Sequence, residues 1–588
     1  MLRPHKKLKE LTISGYHSLT FPTWVGNSSF SNMVCLKFLN CEKCISLPSL
    51  TKLHIQGMKA VENVGLEFYG SGCSNPFPSL EVLTFVDMPE WKDWSPFGVE
   101  ERAQAFARLA ELSIKRCPKL LQKLPRNLPC LRKLDIKECP LLVGAWIPSQ
   151  TELNEASSLT YLRVEKIQGL TWLASWFFQG LLMQLQELKI FGCTELKSLW
   201  KNEVRINHRL PALRRLQVEG CPQLISLFEE EEEGGLQQHE ELPHLMMLEY
   251  LEIEDCEKLE KLPRGLHNLK CLQKLILDSC PRLISFPKKG LPPMLRTLDI
   301  YKCEALRSLP DQLEMLNSLE ELKVRKCPWQ TNFSCSRTRL PPTLKELEIK
   351  ECGDVVSILA EEGMKIDCPS LESVIIRGCE RLKSLPDVMQ NNDGGCLRSL
   401  SQLHITKCDN VESVPEGWFT ATNLRELRIL SCKKLKRLPH HAYENNLTCL
   451  HDLRVDSCAA AATGLVPYIL KEECSSSYSY YFTNLTFLRL HNVDMGSKPP
   501  SEWGLHRLSS LTKLHLEEYG WASFPPKETT QWLPPSLLRL YIRHFLNLEK
   551  LSCKDFQNLP SLEKLEFYEE ASSDMEESQT ILARTGLL

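Results

Sequence analysis

Little in this chain of 588 residues answers to the usual signatures of a membrane protein, an exported protein or an enzyme. The longest apolar stretch, around Leu173 to Met183, is too short to span a bilayer and contains Gln179. The opening residues, MLRPHKKLKELTISGY, contain no apolar export signal. A reducing compartment is therefore expected for the 25 cysteines, and the sequons at Asn27, Asn332, Asn446 and Asn484 read as chance matches. Charge of one sign is also lacking: 71 basic against 74 acidic residues leave a net −3, with no general affinity for nucleic acid or anionic membrane. No GxxxxGK[ST], GxSxG or HExxH occurs, so no catalytic or cofactor-binding residue is assigned. Only Cys41 and Cys44 form a CxxC, and no metal site is expected.

What the chain has is repetition. LEYLEIEDCEKLEKLP (248–263), LRTLDIYKCEALRSLP (295–310) and LRELRILSCKKLKRLP (424–439) share the frame L-x-x-L-x-I-x-x-C-x-x-L-x-x-L-P. Copies start at 8, 33, 50, 80, 109, 131, 159, 185, 213, 248, 272, 295, 319, 344, 371, 400, 424, 450, 485, 511, 537 and 562, which makes 22 units. Their mean period of about 26 lies within the leucine-rich-repeat range. The L-x-I segment alternates, so its two apolar side chains share one face of a short strand. Cys, Leu and Leu then turn inward at spacings of three, and the closing Pro, without an N–H, ends any ladder. No unit can bury its apolar face alone, so the faces must stack.

The expected fold is an α/β-type repeat solenoid, a leucine-rich-repeat horseshoe with a concave parallel β-sheet and a convex side of loops, 3-10 turns and short helices. The solenoid should cover 1–568, irregular near 33–108, with inserts near 228–242 (five glutamates, Glu229 to Glu233) and 459–482 (SSSYSYY); 569–588 should form an acidic tail beginning EEASSDMEES. Fourteen cysteines share one slot: 41, 117, 139, 193, 221, 256, 280, 303, 327, 352, 379, 408, 432 and 458. They read as a ladder of buried thiols aimed at backbone. The string Leu450-His451-Asp452 fits the frame with Leu450 and Leu453 inward.

Outward strand residues form the expected working surface. The central column reads Glu252, Ile276, Asp299, Lys323, Glu348 upstream, and His404, Arg428, Arg454, Arg489, His515 downstream. The latter, extended by Arg539, Tyr541 and Arg543, is the candidate partner-binding site, a basic ridge partly offset by Glu426, Asp452 and Asp456. Reversing Arg454 and Arg489 to Glu is expected to cost no more than about 0.5 kcal/mol per site, as for ordinary surface positions.

Three stretches are more specific than the frame: LRPHKKLKELTISGYHSLTFPTWVGNSSFSNM (2–33), LPSLTKLHIQGMKAVENVGLEFYG (47–70) and FPSLEVLTFVDMPEWKDW (77–94). They closely resemble the repeat region of plant coiled-coil nucleotide-binding leucine-rich-repeat disease-resistance proteins, and the Cys-rich units from 109 onward are similar to that family's C-terminal repeats. The resemblance implies a cytoplasmic or nucleocytoplasmic immune receptor. Its repeats would sense a pathogen effector or a guarded host protein and restrain the nucleotide-binding domain, whose ADP/ATP site is outside this chain. Met1 falls where family members have the interior of an array, so a receptor fragment is expected. The units at 33 and 50 are only 17 residues apart, as though a segment resembling GQLPSL were missing. The alternatives are a general protein-interaction adaptor or a non-functional receptor fragment.

Overall fold

The computed structural model describes residues 10–14, 35–39, 51–64, 68, 77–95, 106–121, 128–142, 158–171, 183–199, 210–227, 245–328, 339–353, 365–389, 397–419, 421, 423–435, 447–456, 482, 484–491, 503–519, 521, 523–524, 532–545, 550–551 and 559–568. The insert at 228–242, nearly all of the insert at 459–482, the tail 569–588, and Cys41, Cys44 and Cys458 lie outside them.

All 22 repeat starts are followed, two residues on, by a five-residue strand, from Glu10–Ser14 to Lys564–Tyr568. The chain divides into two units, Met1–Leu295 and Arg296–Leu588. Each contains eleven of these strands, paired parallel and in register. In the first unit Leu188 pairs with Leu216 and Leu216 with Leu251. In the second, Leu322 pairs with Leu347 and Leu347 with Val374. The short step near 50 does not break this order, because Cys35 pairs with Lys52 and Phe38 with Ile55.

The two-residue period of a strand explains the burial. In Thr297–Tyr301, Leu298 and Ile300 are fully buried while their neighbours stay partly exposed. Leu450 and Leu453 are likewise buried, with Asp452 outward. The described residues contain no α-helix. Between strands they contain turns, two-residue strands and 3-10 segments such as Arg264–Asn268 and Glu416–Phe419. The 3-10 segment at Arg264 opens directly after the closing Pro263, whose ring fixes φ near −56°.

The residue before the cysteine slot has left-handed backbone, a feature the frame did not announce. It is Gly at 192, 220 and 378, but Arg116, Glu138, Asp255, Ser279, Lys302, Lys326, Glu351, Lys407 and Ser431 elsewhere. For a non-glycine residue this conformation costs about 1–2 kcal/mol. Its N–H donates to the last carbonyl of the next strand: Lys302 N–H to Arg325 O at 2.9 Å, Lys326 N–H to Lys350 O at 2.8 Å, Glu351 N–H to Arg377 O at 2.7 Å. One such bond is worth a net of about 0.5–1.5 kcal/mol, about what the conformation costs. Local preference therefore does not select it; stacking of the cysteine and leucine behind it does.

That cysteine is buried in all twelve described slots, as a thiol. Its Sγ–H points at the carbonyl two residues back, as in Cys139 to Lys137 O (3.2 Å) and Cys256 to Glu254 O (3.3 Å). Burial pushes the Cys256 thiol up to about 12 and the Cys352 thiol to about 11. Where the slot is not cysteine, bulk replaces it. Met88 takes the slot in the stretch that holds the aromatic cluster of Phe77, Phe85, Trp91, Trp94 and Phe106, and Tyr519 packs with Trp503 and Trp521.

The thiol is a weak donor and a small filler. Cys303→Ala is therefore expected to cost less than Leu298→Ala, which removes three carbons from a fully buried site for roughly 2–5 kcal/mol. Denaturant unfolding of the two variants decides the order, and a larger loss at Cys303 would contradict it.

Candidate functional site

The outward residues of the C-terminal strands form one surface. Strand pairing sets His404 beside Arg428, Arg428 beside Arg454, Arg454 beside Arg489, Arg489 beside His515, and His515 beside Tyr541. Arg539 and Arg543 flank Tyr541 on its own strand. The geometry thus brings together all eight residues of the column read from sequence.

Its charge differs from that reading. Arg428 is paired with Glu426 and lies 3.7 Å from Asp452. Arg454 grips Asp452 through two bonds of 2.9 and 2.7 Å. Arg489 donates to Glu517 at 2.7 Å. Burial works against the charge of Glu517, yet His515, 3.8 Å away, and the bond from Arg489 hold its carboxyl down at about 2. Burial lowers both His404 and His515 below the ordinary histidine value, so these two are not cations at neutral pH. The ridge is therefore internally compensated from 404 to 489. Its excess positive charge lies further on, where Lys513, Arg539 and Arg543 have no carboxylate within ion-pair distance among the described residues.

Aromatic rings space these cations. Arg454 lies 4.5 Å and Lys513 4.9 Å from the Phe487 ring centre. His515 packs 4.2 Å from Tyr541, and Lys513, Arg543 and Lys564 surround that ring at 5.4, 5.8 and 5.7 Å. The central column alone missed Phe487, Lys513, Lys564 and Tyr568. Reading the first and fifth strand positions as further columns would have found them.

The opposite sign dominates a second region of outward residues, in the first unit. Burial, with Glu219 and Asp278 close by, pushes the Glu254 carboxyl up to about 7, and burial with Asp255 and Glu252 close by raises Glu219. Among the described residues no cluster of His, Cys, Asp and Glu could hold a metal, and no helix is long and apolar enough to cross a membrane.

Residues 80–244, 284–409 and 329–459 match the leucine-rich repeats described as plant disease resistance protein RPS2-like, together more than half of the chain. Residues 1–88 match the R13L1/DRL21 leucine-rich repeats. The chain belongs to the leucine-rich-repeat family of plant disease resistance proteins. Among such proteins of Arabidopsis thaliana, one aligns with 96% of this chain and 43% of its own length at 26% identity. An RPP13-like one aligns with 38% of this chain and 22% of its own length at 35% identity. The chain thus spans less than half the length of these relatives. A solved leucine-rich-repeat protein of Leptospira interrogans covers 80% of the chain and all of its own length, at 19% identity and a TM-score of 0.41.

Within this disease-resistance repeat region, the sheet face also carries a structural ion cluster. His491 bonds Asp456 through Nδ1 and lies 3.1 Å from Glu518 through Nε2. The hydrogen bond to Asp456, opposed by burial and helped by Glu518, raises its pKa to about 9. A raised folded-state value means stability present in full below the unfolded value of about 6.5 and lost as pH rises through about 9. The stability gap between the native chain and His491→Gln should therefore shrink between those limits. Thermal unfolding across that range measures it, and a constant gap would contradict the pairing.

Proposed function

We propose that this chain is the effector-sensing and autoregulatory part of a plant intracellular immune receptor, and that the sheet face of its C-terminal strands makes the contact. Two observations support the reading. The family membership covers most of the chain. Most outward strand residues are only partly buried, with Tyr541 and Glu517 among the exceptions, so most can differ between receptors without unfolding the repeats. The partner is a protein presenting acidic side chains, either a pathogen effector or a guarded host protein. The nucleotide-binding domain of the receptor is a second partner. The reading invokes no catalytic step, cofactor or metal, and it places the protein in the cytoplasm. A general protein-interaction adaptor is the competing reading, and it predicts binding independent of any immune partner.

Ion pairing decides which residues test the proposal. Arg489 neutralises a carboxylate whose side chain is only 5% exposed. Reversing Arg489 would set two carboxylates together at a buried site, and leaving a buried charge unpaired costs more than about 1 kcal/mol. The expectation that Arg454 and Arg489 behave as ordinary surface positions therefore gives way, and Lys513 and Arg539 replace them. Lys513→Glu with Arg539→Glu should leave stability within about 0.5 kcal/mol per site. It should weaken partner binding and flatten its salt dependence, mainly through the association rate. Unchanged binding in surface plasmon resonance would move the contact elsewhere.

A further inference from the structure

The last three strands present more positive charge than they neutralise. Lys513–Glu517, Arg539–Arg543 and Lys564–Tyr568 pair side by side. Of the two acids on this face, Glu517 is committed to Arg489 and His515, and Glu566 bonds Lys564 at 2.6 Å. Lys513, Arg539 and Arg543 remain without a carboxylate among the described residues, grouped around Tyr541. Like charges gathered on one face repel, and an anion laid across them would relieve the repulsion.

The nearest source of that anion in the sequence begins at the next residue. Glu569 and Glu570 follow Tyr568 directly, with Asp574, Glu576 and Glu577 beyond, and no lysine or arginine intervenes before Arg584. Tyr568 is the register partner of Arg543, whose guanidinium lies 5.9 Å from the Tyr568 ring centre. The tail therefore leaves the last strand at the cationic surface itself. Three parallel strands span roughly 10 Å, whereas nine extended residues reach about 30 Å, so the acids can cover every cation named.

We propose that the acidic segment Glu569–Glu577 docks in cis on the face formed by Lys513, Arg539, Tyr541 and Arg543, and so competes with any acidic partner for it. This rests on the reading of that face as a recognition surface and adds its regulation. A short tether gives the tail an effective concentration in the millimolar range, so even weak ion pairing suffices to occupy the face. The occupancy is electrostatic and must fall with salt.

The test uses the full chain and a fluorescent peptide with the sequence of residues 569–578, followed by anisotropy at low and high ionic strength. In one variant the tail acids are neutralised in place: Glu569→Gln, Glu570→Gln, Asp574→Asn, Glu576→Gln and Glu577→Gln. This variant should bind the peptide about tenfold more tightly than the native chain, reflecting removal of the tethered competitor. Adding Arg539→Gln and Arg543→Gln should abolish the gain, as should high salt. Equal affinity for the native and neutralised chains, including no binding by either, overturns the proposal. So does undiminished binding after the arginine changes. If the peptide result fails while Lys513→Glu with Arg539→Glu still weakens partner binding, the recognition face stands and only the tail is excluded from it.

Discussion

No repeat in this protein can bury its own apolar face, and everything else in the structure answers to that constraint. The inward pair of each strand, such as Leu298 and Ile300, and the thiol and leucines that follow it become core only when another repeat lies against them. The same stacking closes the backbone. Within each unit the strands pair in register, and the left-handed residue beyond a strand donates its N–H to the neighbour's last carbonyl. Lysine and glutamate at that position are poorly suited to the conformation. Their presence at Lys302, Lys326 and Glu351 shows that the neighbouring repeat imposes it.

This division of labour releases the other face of each strand. With Leu and Ile turned inward and the thiol filling the turn, most first, third and fifth strand positions are only partly buried, with Tyr541 and Glu517 among the exceptions. They hold the charges and rings that differ from repeat to repeat. Their chemistry is nonetheless constrained by their neighbours. Arg454 is spent on Asp452 and Arg489 on Glu517, whereas Lys513, Arg539 and Arg543 are not spent on any described carboxylate. A recognition surface on such a sheet is therefore defined by what remains after internal pairing, and a tally of cationic letters along one column does not give it.

The repeat frame made the strands legible because its period is local: leucine at the unit start, leucine and isoleucine two apart, and cysteine at a fixed offset. The burial of Cys256 and Leu453 follows from that pattern. The left-handed turn was harder to read, since only Gly192, Gly220 and Gly378 betray it and the other positions carry ordinary polar residues. The candidate face was legible in its residues and misread in its charge. Cross-strand partners such as Glu517 for Arg489 lie 28 positions apart, and burial that keeps His404 and His515 neutral is a property of packing. Between strands the described residues hold the turns and short 3-10 segments that the frame led one to expect.

The central claim, that neighbouring repeats impose both core and turn, is tested most directly by amide hydrogen exchange at the left-handed residues Lys302, Lys326 and Glu351. These lie in turns at the ends of strands, where an isolated loop amide would exchange within the fastest phase. The account predicts protection comparable to that of the central strand amides of Asp299, Lys323 and Glu348, because each donates into the next repeat. Exchange at loop rates, with the strand amides still protected, would show that the turns are not held by stacking and would contradict the account.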